Sequence, residues 1–292
     1  VEYGVLSLYS SEGDKVDIPP SVIDLIHRAL EEDIGPRDIT TSLLIPEENE
    51  SRALYIAKGN FILAGLPFAA KVFRILDASI SFKTFFNEGF KIRKGDVIAE
   101  VFGKTHAILS GERVSLNILQ RLSGIATFTN MYVERIKGLN SKIVDTRKTT
   151  PCQRFLEKYA VRIGGGSNHR FGLFDGILIK DNHIEAVGSI KKAIERAKSG
   201  HHLGRIEVEV ENLHDLKEAI ASGADIVMLD NMSISDIKKA VKIANGRVIL
   251  EASGGIKLEN VREIAKAGVD LISVGALTHS AVAVDISLKI II

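Results

Sequence analysis

At 292 residues the chain can bury a sizeable core and its length favours two domains, while a hydrophobic share of 45% excludes a disordered chain. Lys and Arg number 38 against 37 Asp and Glu, a formal net charge of +1, so no global field points to nucleic acid or to an anionic membrane. The lone Cys152 excludes an internal disulfide, and no charged-then-apolar leader opens Val1–Ser10, which makes a reducing cytoplasm the expected compartment.

Along the chain, Val22–Glu32 predicts an amphipathic helix, and Pro46–Glu50 is a polar break. Leu54–Ala64, Ser79–Phe86 and Val97–Leu109 read as strands joined by glycine turns such as Arg93–Asp96. Ser110–Gly138 predicts a long helix carrying Val114, Leu116, Ile118, Leu119 and Leu122, interrupted near Ser123-Gly124. An N-terminal α/β domain over residues 1–110 is expected. The apolar Ala283–Ile292, too short to span a bilayer, adds an element back onto it, so that residues 279–292 join this domain.

Residues 111–278 have a different rhythm. Ile143-Val144, Gly176–Ile179, Ile206–Asn212, Asp225–Asn231, Val248–Gly255 and Leu271–Ala276 are six short apolar runs, each ending in polar residues or glycine. Between the later ones lie helical patterns over Ile190–Ser199, Leu213–Ser222, Ile234–Asn245 and Leu258–Ala267. Gly200, Gly223, Gly246 and Gly268 follow them, where a helix stop often needs positive φ. Alternating helices and buried strands imply right-handed βαβ units in a parallel sheet. Polar residues at every strand's C-terminal end favour a β/α barrel with its site at that rim. An open doubly wound sheet would place ligands at the same ends.

Two of those ends concentrate positive charge. Asp145–Thr149 and Ile179–His183 bring Arg147, Lys148, His169, Arg170 and Lys180 around the triple glycine Gly164–Gly166, which suggests an anion site. Taken singly, each cation is more often a solvated or paired rim residue; their shared location favours a ligand. The triple glycine is expected to let His169 and Arg170 approach it.

These residues also carry a family resemblance. Asp145-Thr-Arg-Lys-Thr-Thr-Pro151, Leu156–Val161, Gly164-Gly-Gly-Ser-Asn-His-Arg170 and Leu178–His183 resemble the motifs of quinolinate phosphoribosyltransferases. Ala29–Gly35 with Asp38–Thr40, and Gly111–Asn117 with Ser123–Thr127, are similar to the same family's earlier motifs in the same order. The resemblance implies a fold: an incomplete parallel β/α barrel behind an N-terminal α/β sandwich-like domain, in a homodimer or higher homo-oligomer. It also implies a reaction in NAD biosynthesis: quinolinate and phosphoribosyl pyrophosphate give nicotinate mononucleotide, pyrophosphate and carbon dioxide.

That chemistry can be matched to side chains. Arg113, Arg147 and Arg170 offer planar bidentate donors to the two carboxylates of quinolinate. By resemblance, Arg113 arrives from the partner subunit, whereas Thr146, Arg147, His169, Arg170 and Lys180 belong to the barrel, and Lys148 holds phosphate. Glu209 and Asp230 end adjacent strands as hard oxygen donors for Mg2+, bound through water or ribose hydroxyls, and with Lys180 form the expected catalytic set. Ser253-Gly254-Gly255 and Val274-Gly275-Ala276 close the last strands as a 5′-phosphate cradle. Lys180 or His169 could supply a proton for decarboxylation, and the general acid stays unassigned. Of Glu207, Glu209 and Glu211, alternating on one strand, only Glu209 receives a role.

Cys152 departs from the family, which usually has glycine after this proline; a tolerated substitution fits better than a nucleophile, since the reaction needs no covalent intermediate. Two alternatives remain: a related phosphoribosyltransferase with another heterocyclic substrate, and a carrier or phosphate-binding module, because Glu88–Glu100 resembles the hairpin of biotin- or lipoyl-carrier domains.

Overall fold

A computed structural model describes residues 16–200 and 204–291; Val1–Ser10, read above for a leader, lie outside them. In chain order the first elements are α1 (Pro20–Ile34), α2 (Ile39–Leu44), β1 (Glu50–Ala57), β2 (Phe61–Ile62), α3 (Leu66–Leu76), β3 (Ser81–Thr84), β4 (Lys91–Ile92), β5 (Val97–Lys104) and α4 (Thr105–Arg135). There follow β6 (Lys142–Val144), α5 (Arg154–Ile163), β7 (Ile177–Ile179), α6 (Asp181–Val187), α7 (Ile190–Ser199), β8 (Ile206–Val210) and α8 (Leu213–Ser222). The chain closes with β9 (Ile226–Asp230), α9 (Ile234–Ala244), β10 (Ile249–Ser253), α10 (Val261–Lys266), β11 (Leu271–Ser273), α11 (Ala276–His279) and β12 (Ile286–Ile291).

The described residues form two compact units. One combines the chain up to Asn130, Thr150–Gly165 and the residues from Thr278 onward. Its sheet has the order β12-β1-β5-β3, with the C-terminal strand antiparallel to β1. Alternation along β1 buries Ala53, Tyr55 and Ala57 on one face, in a core shared with Phe73 of α3 and with Ile108, Leu116 and Leu119 of α4. The Tyr55 hydroxyl is satisfied inside that core by Ser115 Oγ at 2.5 Å. Glu88 closes the N-terminus of α3 by accepting the Gly65 and Leu66 N–H groups. Burial nonetheless pushes its carboxyl above the usual range.

Four expectations change here. The helix pattern runs unbroken through Ser123-Gly124, because Gly124 is a crossing point and not a stop: a Cβ there would lie 2.1 Å from the Val282 carbonyl oxygen. The strand expected over Leu54–Ala64 breaks at Lys58–Asn60 into β1 and β2, and the one over Val97–Leu109 ends at Lys104, where α4 begins. The first two glycines of Gly164–Gly166 serve helix packing and termination, not ligand approach. A Cβ on Gly164 would stand 2.4 Å from the Ala126 carbonyl oxygen, and Gly165 turns the chain at φ +91.

The other unit combines Met131–Thr149 with Gly166–Leu277. Its six strands are parallel in the order β6-β11-β10-β9-β8-β7. The first strand in the chain thus pairs with the last, and the sheet curls back on itself as an incomplete barrel. Residues 226–229 of β9 are buried, as a strand covered on both faces requires. Helices return the chain under local control: Ser189, Asn212 and Ser233 each cap a helix through their side chains. Gly223 and Asn245 end α8 and α9 in the left-handed conformation, whereas Gly200 ends α7 at φ −78, without it. At the strands' N-terminal ends Asp225 accepts the Ile206 N–H and Asp270 the Leu250 N–H, so acids at that rim serve the backbone.

Cys152 adopts φ +64, a left-handed conformation that costs a side-chain-bearing residue about 1 kcal/mol. Cys152→Gly is therefore expected to raise stability by roughly 0.5 kcal/mol in chemical denaturation. A destabilised variant would show that the thiol makes compensating contacts.

Candidate active site at the strand C-termini

Asp145, fully buried just beyond β6, organises the first part of the site. Its carboxylate accepts the His169 backbone N–H at 2.9 Å and the Asn168 side-chain N–H at 2.5 Å. Beside it, Ser167 donates its N–H to Ile143 and accepts that of Asp145, a single parallel bridge pairing Val144 with Ser167. Residues 167–169 therefore run along the edge of β6 that no strand covers. This places Thr146, Arg147 and Lys148 alongside His169 and Arg170 at one end of the sheet. Arg147 is half-buried, Lys148 exposed and Arg170 buried, with Arg170 donating to the Gly176 carbonyl at 2.9 Å. Thr146 Oγ1 accepts the Lys148 N–H.

The loop after Lys148 has its own anchor. Glu157, 0% exposed, accepts from Thr150 N and Oγ1 and forms a 2.8 Å ion pair with Arg121. Arg121 also donates to the Thr278 and Ala281 carbonyls. Removing Arg121 would leave the buried Glu157 charge without its ion-pair partner.

Below the rim, His169 points its ring into the barrel. Its Nε2 lies 3.0 Å from Glu207 and 3.6 Å from Glu251, and both glutamates are 0% exposed. Its Nδ1 accepts the Arg170 backbone N–H at 2.9 Å. Burial, reinforced by the neighbouring Glu207 carboxylate, pushes Glu251 up to about 8, so it is protonated at neutral pH. Sequence reasoning assigned no role to Asp145, Glu207 or Glu251. One signal was available for Glu207: strand alternation puts it on the same face as Glu209, two residues deeper.

Along the rim, Lys180 Nζ and Glu209 Oε2 form an ion pair at 2.5 Å. His183 Nδ1 accepts the Lys180 N–H, which gives that histidine a local role at the start of α6. Ser253 pairs in register with Asp230 across β10 and β9. Asp230 accepts from the side chain of Asn231, a residue at φ +52. Gly254 and Gly255 both have positive φ, and a Cβ on Gly254 would stand 2.2 Å from Asn231 Oδ1. Only glycine fits this turn, and it leaves backbone exposed at the strand end. Val274 is buried and donates its N–H to the Val144 carbonyl, with Gly275 and Ala276 following at the start of α11. Arg113 lies exposed on α4, in the other unit.

The site includes Glu209 and Asp230 as two incompletely buried carboxylates on adjacent strands. Two hard donors at an open rim suit a cation that keeps water or ligand oxygens in its remaining positions.

Comparison with known proteins decides the family. The description "Quinolinate phosphoribosyl transferase, C-terminal domain" matches residues 125–289, and the N-terminal domain of the same family matches residues 38–123. The chain belongs to the quinolinate phosphoribosyltransferase family. It is 46% identical over 267 residues to a probable nicotinate-nucleotide pyrophosphorylase (carboxylating) of Bacillus subtilis, covering 91% of this chain and 92% of that one. A protein of the same name from Synechocystis is 43% identical over 280 residues, covering 94% and 95%. Among solved structures, NadC from Streptococcus pyogenes superposes with a TM-score of 0.90 at 42% identity, covering 94% of this chain and 98% of that one. The nicotinate-nucleotide pyrophosphorylase of Francisella tularensis gives 0.90 at 45% identity, covering 96% and 100%. The N-terminal family match spans Glu88–Glu100, so the carrier-hairpin reading of that segment falls away.

The protonated Glu251 has a consequence for stability. Above its ordinary value of 4.5 the unfolded chain releases this proton, while the folded chain holds it up to about 8. The unfolded state then binds fewer protons, so this group's contribution to stability is lost progressively as pH rises through that window. Glu251→Gln is expected to remove that loss, and urea denaturation across about pH 5 to 8 should give a flatter profile than the parent. Parallel profiles would mean that Glu251 ionises normally.

Proposed function

We propose that the chain transfers the phosphoribosyl group of phosphoribosyl pyrophosphate to quinolinate, with release of pyrophosphate and carbon dioxide and formation of nicotinate mononucleotide for NAD biosynthesis. The carboxylating pyrophosphorylase name of its relatives describes this reaction in reverse. The observation that carries the reading is the Asp145 anchor, which holds Ser167–Arg170 against β6 beside Thr146–Lys148 and so gathers the cations at one strand end.

Arg147 and Arg170 clamp the pyridine carboxylates through planar bidentate contacts, and His169 sits between the clamp and the barrel interior. Thr146 and Lys148 flank them, Lys148 toward the phosphates. Bound Mg2+ would neutralise charge on the departing pyrophosphate, and Glu209 and Asp230 would hold it. Before that, Glu209 is engaged by Lys180. With Glu209 turned to that cation, the Lys180 ammonium would be available to an anionic substrate. The turn at Ser253–Gly255, with Gly275-Ala276 beyond Val274, receives the 5′-phosphate. Once the ring nitrogen is ribosylated, the pyridinium accepts the electron pair left by the departing 2-carboxylate, so the step needs no further cofactor.

Arg113 completes the carboxylate clamp from a second copy of the chain in a homodimer. In support, Arg113 is exposed on its own helix, and the same unit carries Ile39, Leu43 and Leu44 at 60%, 74% and 71% exposure on one short helix. In support of a cytoplasmic enzyme, the fold uses no disulfide, its single cysteine being free. Among the described residues no helix is long and apolar enough to cross a membrane.

Purified protein with Mg2+ is expected to release carbon dioxide and pyrophosphate from quinolinate plus phosphoribosyl pyrophosphate, and to stop when the metal is chelated. Turnover of nicotinate but not quinolinate would falsify this assignment. Arg113→Ala and Arg147→Ala should each lose at least about a hundredfold in kcat/KM. Mixing the two should restore activity, because a mixed dimer rebuilds one intact site; no recovery despite subunit exchange would place Arg113 outside the shared site.

A further inference from the structure

His169, Glu207 and Glu251 offer three ligand atoms within 4.8 Å of one another, all from buried side chains. Such a trio can hold a metal ion, or it can be an imidazole held by a carboxylate. The far side of the ring decides between them. Nδ1 accepts the Arg170 N–H, so its lone pair is in use and the ring proton lies on Nε2. An Nε2–H has no lone pair to give a metal; Glu207 Oε2 stands 3.0 Å away, a charge contact that is not aligned as a hydrogen bond. Glu251 forms the other wall, 3.6 Å from Nε2, with both carboxyl oxygens buried and making no hydrogen bond. A second anion there would be costly, and a neutral acid leaves Glu207 as the charge beside Nε2.

We propose that Glu207 is a positioning residue for the reaction: its buried carboxylate, 3.0 Å from Nε2 of His169, attracts the Nε2–H and so favours the tautomer and rotation of the ring. Through the Nδ1 bond it also fixes the backbone at Arg170. The chain of contacts is continuous. Asp145 holds the His169 backbone, Glu207 holds its ring, and the ring holds the N–H of the residue that carries a carboxylate clamp. A buried side chain two residues below Glu209 can thus set the geometry of a group at the rim without touching the ligand. The proposal rests on the reading of His169 and Arg170 as the quinolinate clamp.

The test compares Glu207→Leu with Glu207→Gln, which keeps an acceptor oxygen at the same reach. Glu207→Leu is expected to raise the KM for quinolinate about tenfold or more, with the KM for phosphoribosyl pyrophosphate changed less than about twofold. Glu207→Gln should recover most of that loss. Spectra of 15N-labelled histidine should report an Nε2–H tautomer for His169 in the parent and in Glu207→Gln. If Glu207→Leu does not fold, the Glu207→Gln kinetics and its tautomer still decide, since a lost Nε2–H signal there or an absent one in the parent contradicts the proposal. An unchanged quinolinate KM in folded Glu207→Leu would overturn it, as would a stoichiometric metal found by elemental analysis and lost in Glu251→Gln. His169→Ala separates the two levels: an unaffected quinolinate KM would remove the clamp reading itself, whereas a raised one beside an unaffected Glu207→Leu would remove only the role of Glu207.

Discussion

A parallel sheet whose first strand pairs with its last must close between its first and second strands, and here no ladder spans that place. Asp145 makes the closure instead, with the single bridge from Val144 to Ser167. The consequence is chemical as well as architectural. A ladder would have committed this edge of β6 to a neighbouring strand; a carboxylate holding Asn168 and His169 instead brings the loop that carries Arg170 to the strand end that carries Arg147. The loop gains precision without regular secondary structure because its polar groups are bonded in a buried setting, where an unmade bond is costly.

Charge in the barrel is layered along the strands. At the N-terminal rim Asp225 and Asp270 are spent on backbone N–H groups. In the interior Glu207 and Glu251 surround His169, and one of the two acids is neutral. At the C-terminal rim Glu209 meets Lys180, and Asp230 meets the side chain of Asn231. The same chemical group therefore meets three settings along the strands: backbone N–H groups at the bottom, an imidazole in the middle and a cation or amide at the top. Only the interior pair, Glu207 and Glu251, is buried, whereas the carboxylates at both rims reach solvent. Conservative changes should consequently have depth-dependent effects, on stability at the bottom and on kinetics at the top.

Much of this was legible in the sequence. The six strands and the helices Ile190–Ser199 and Leu213–Ser222 follow from apolar runs and caps, because parallel strands covered on both faces have few polar residues until they end. The rim residues were legible for the same reason. Gly124 was misread because local propensity marks glycine as a breaker, whereas here a distant carbonyl demands it. The triple glycine misled in the same way. Glu251 gave no local signal, since its perturbation arises from Glu207, which lies far away in the chain and close in space. The positive φ at Cys152 marks a position that glycine would occupy without strain.

The proposed quinolinate site is built on the end of β6 and on the loop through Arg170 that Asp145 holds against it. Its most direct test is a crystal structure with quinolinate bound. The account predicts both carboxylates within hydrogen-bond reach of the Arg147 and Arg170 guanidinium groups, above His169, with Asp145 and Glu207 unmoved. Quinolinate bound away from the strand C-termini, or seated there without contact to either arginine, would contradict it.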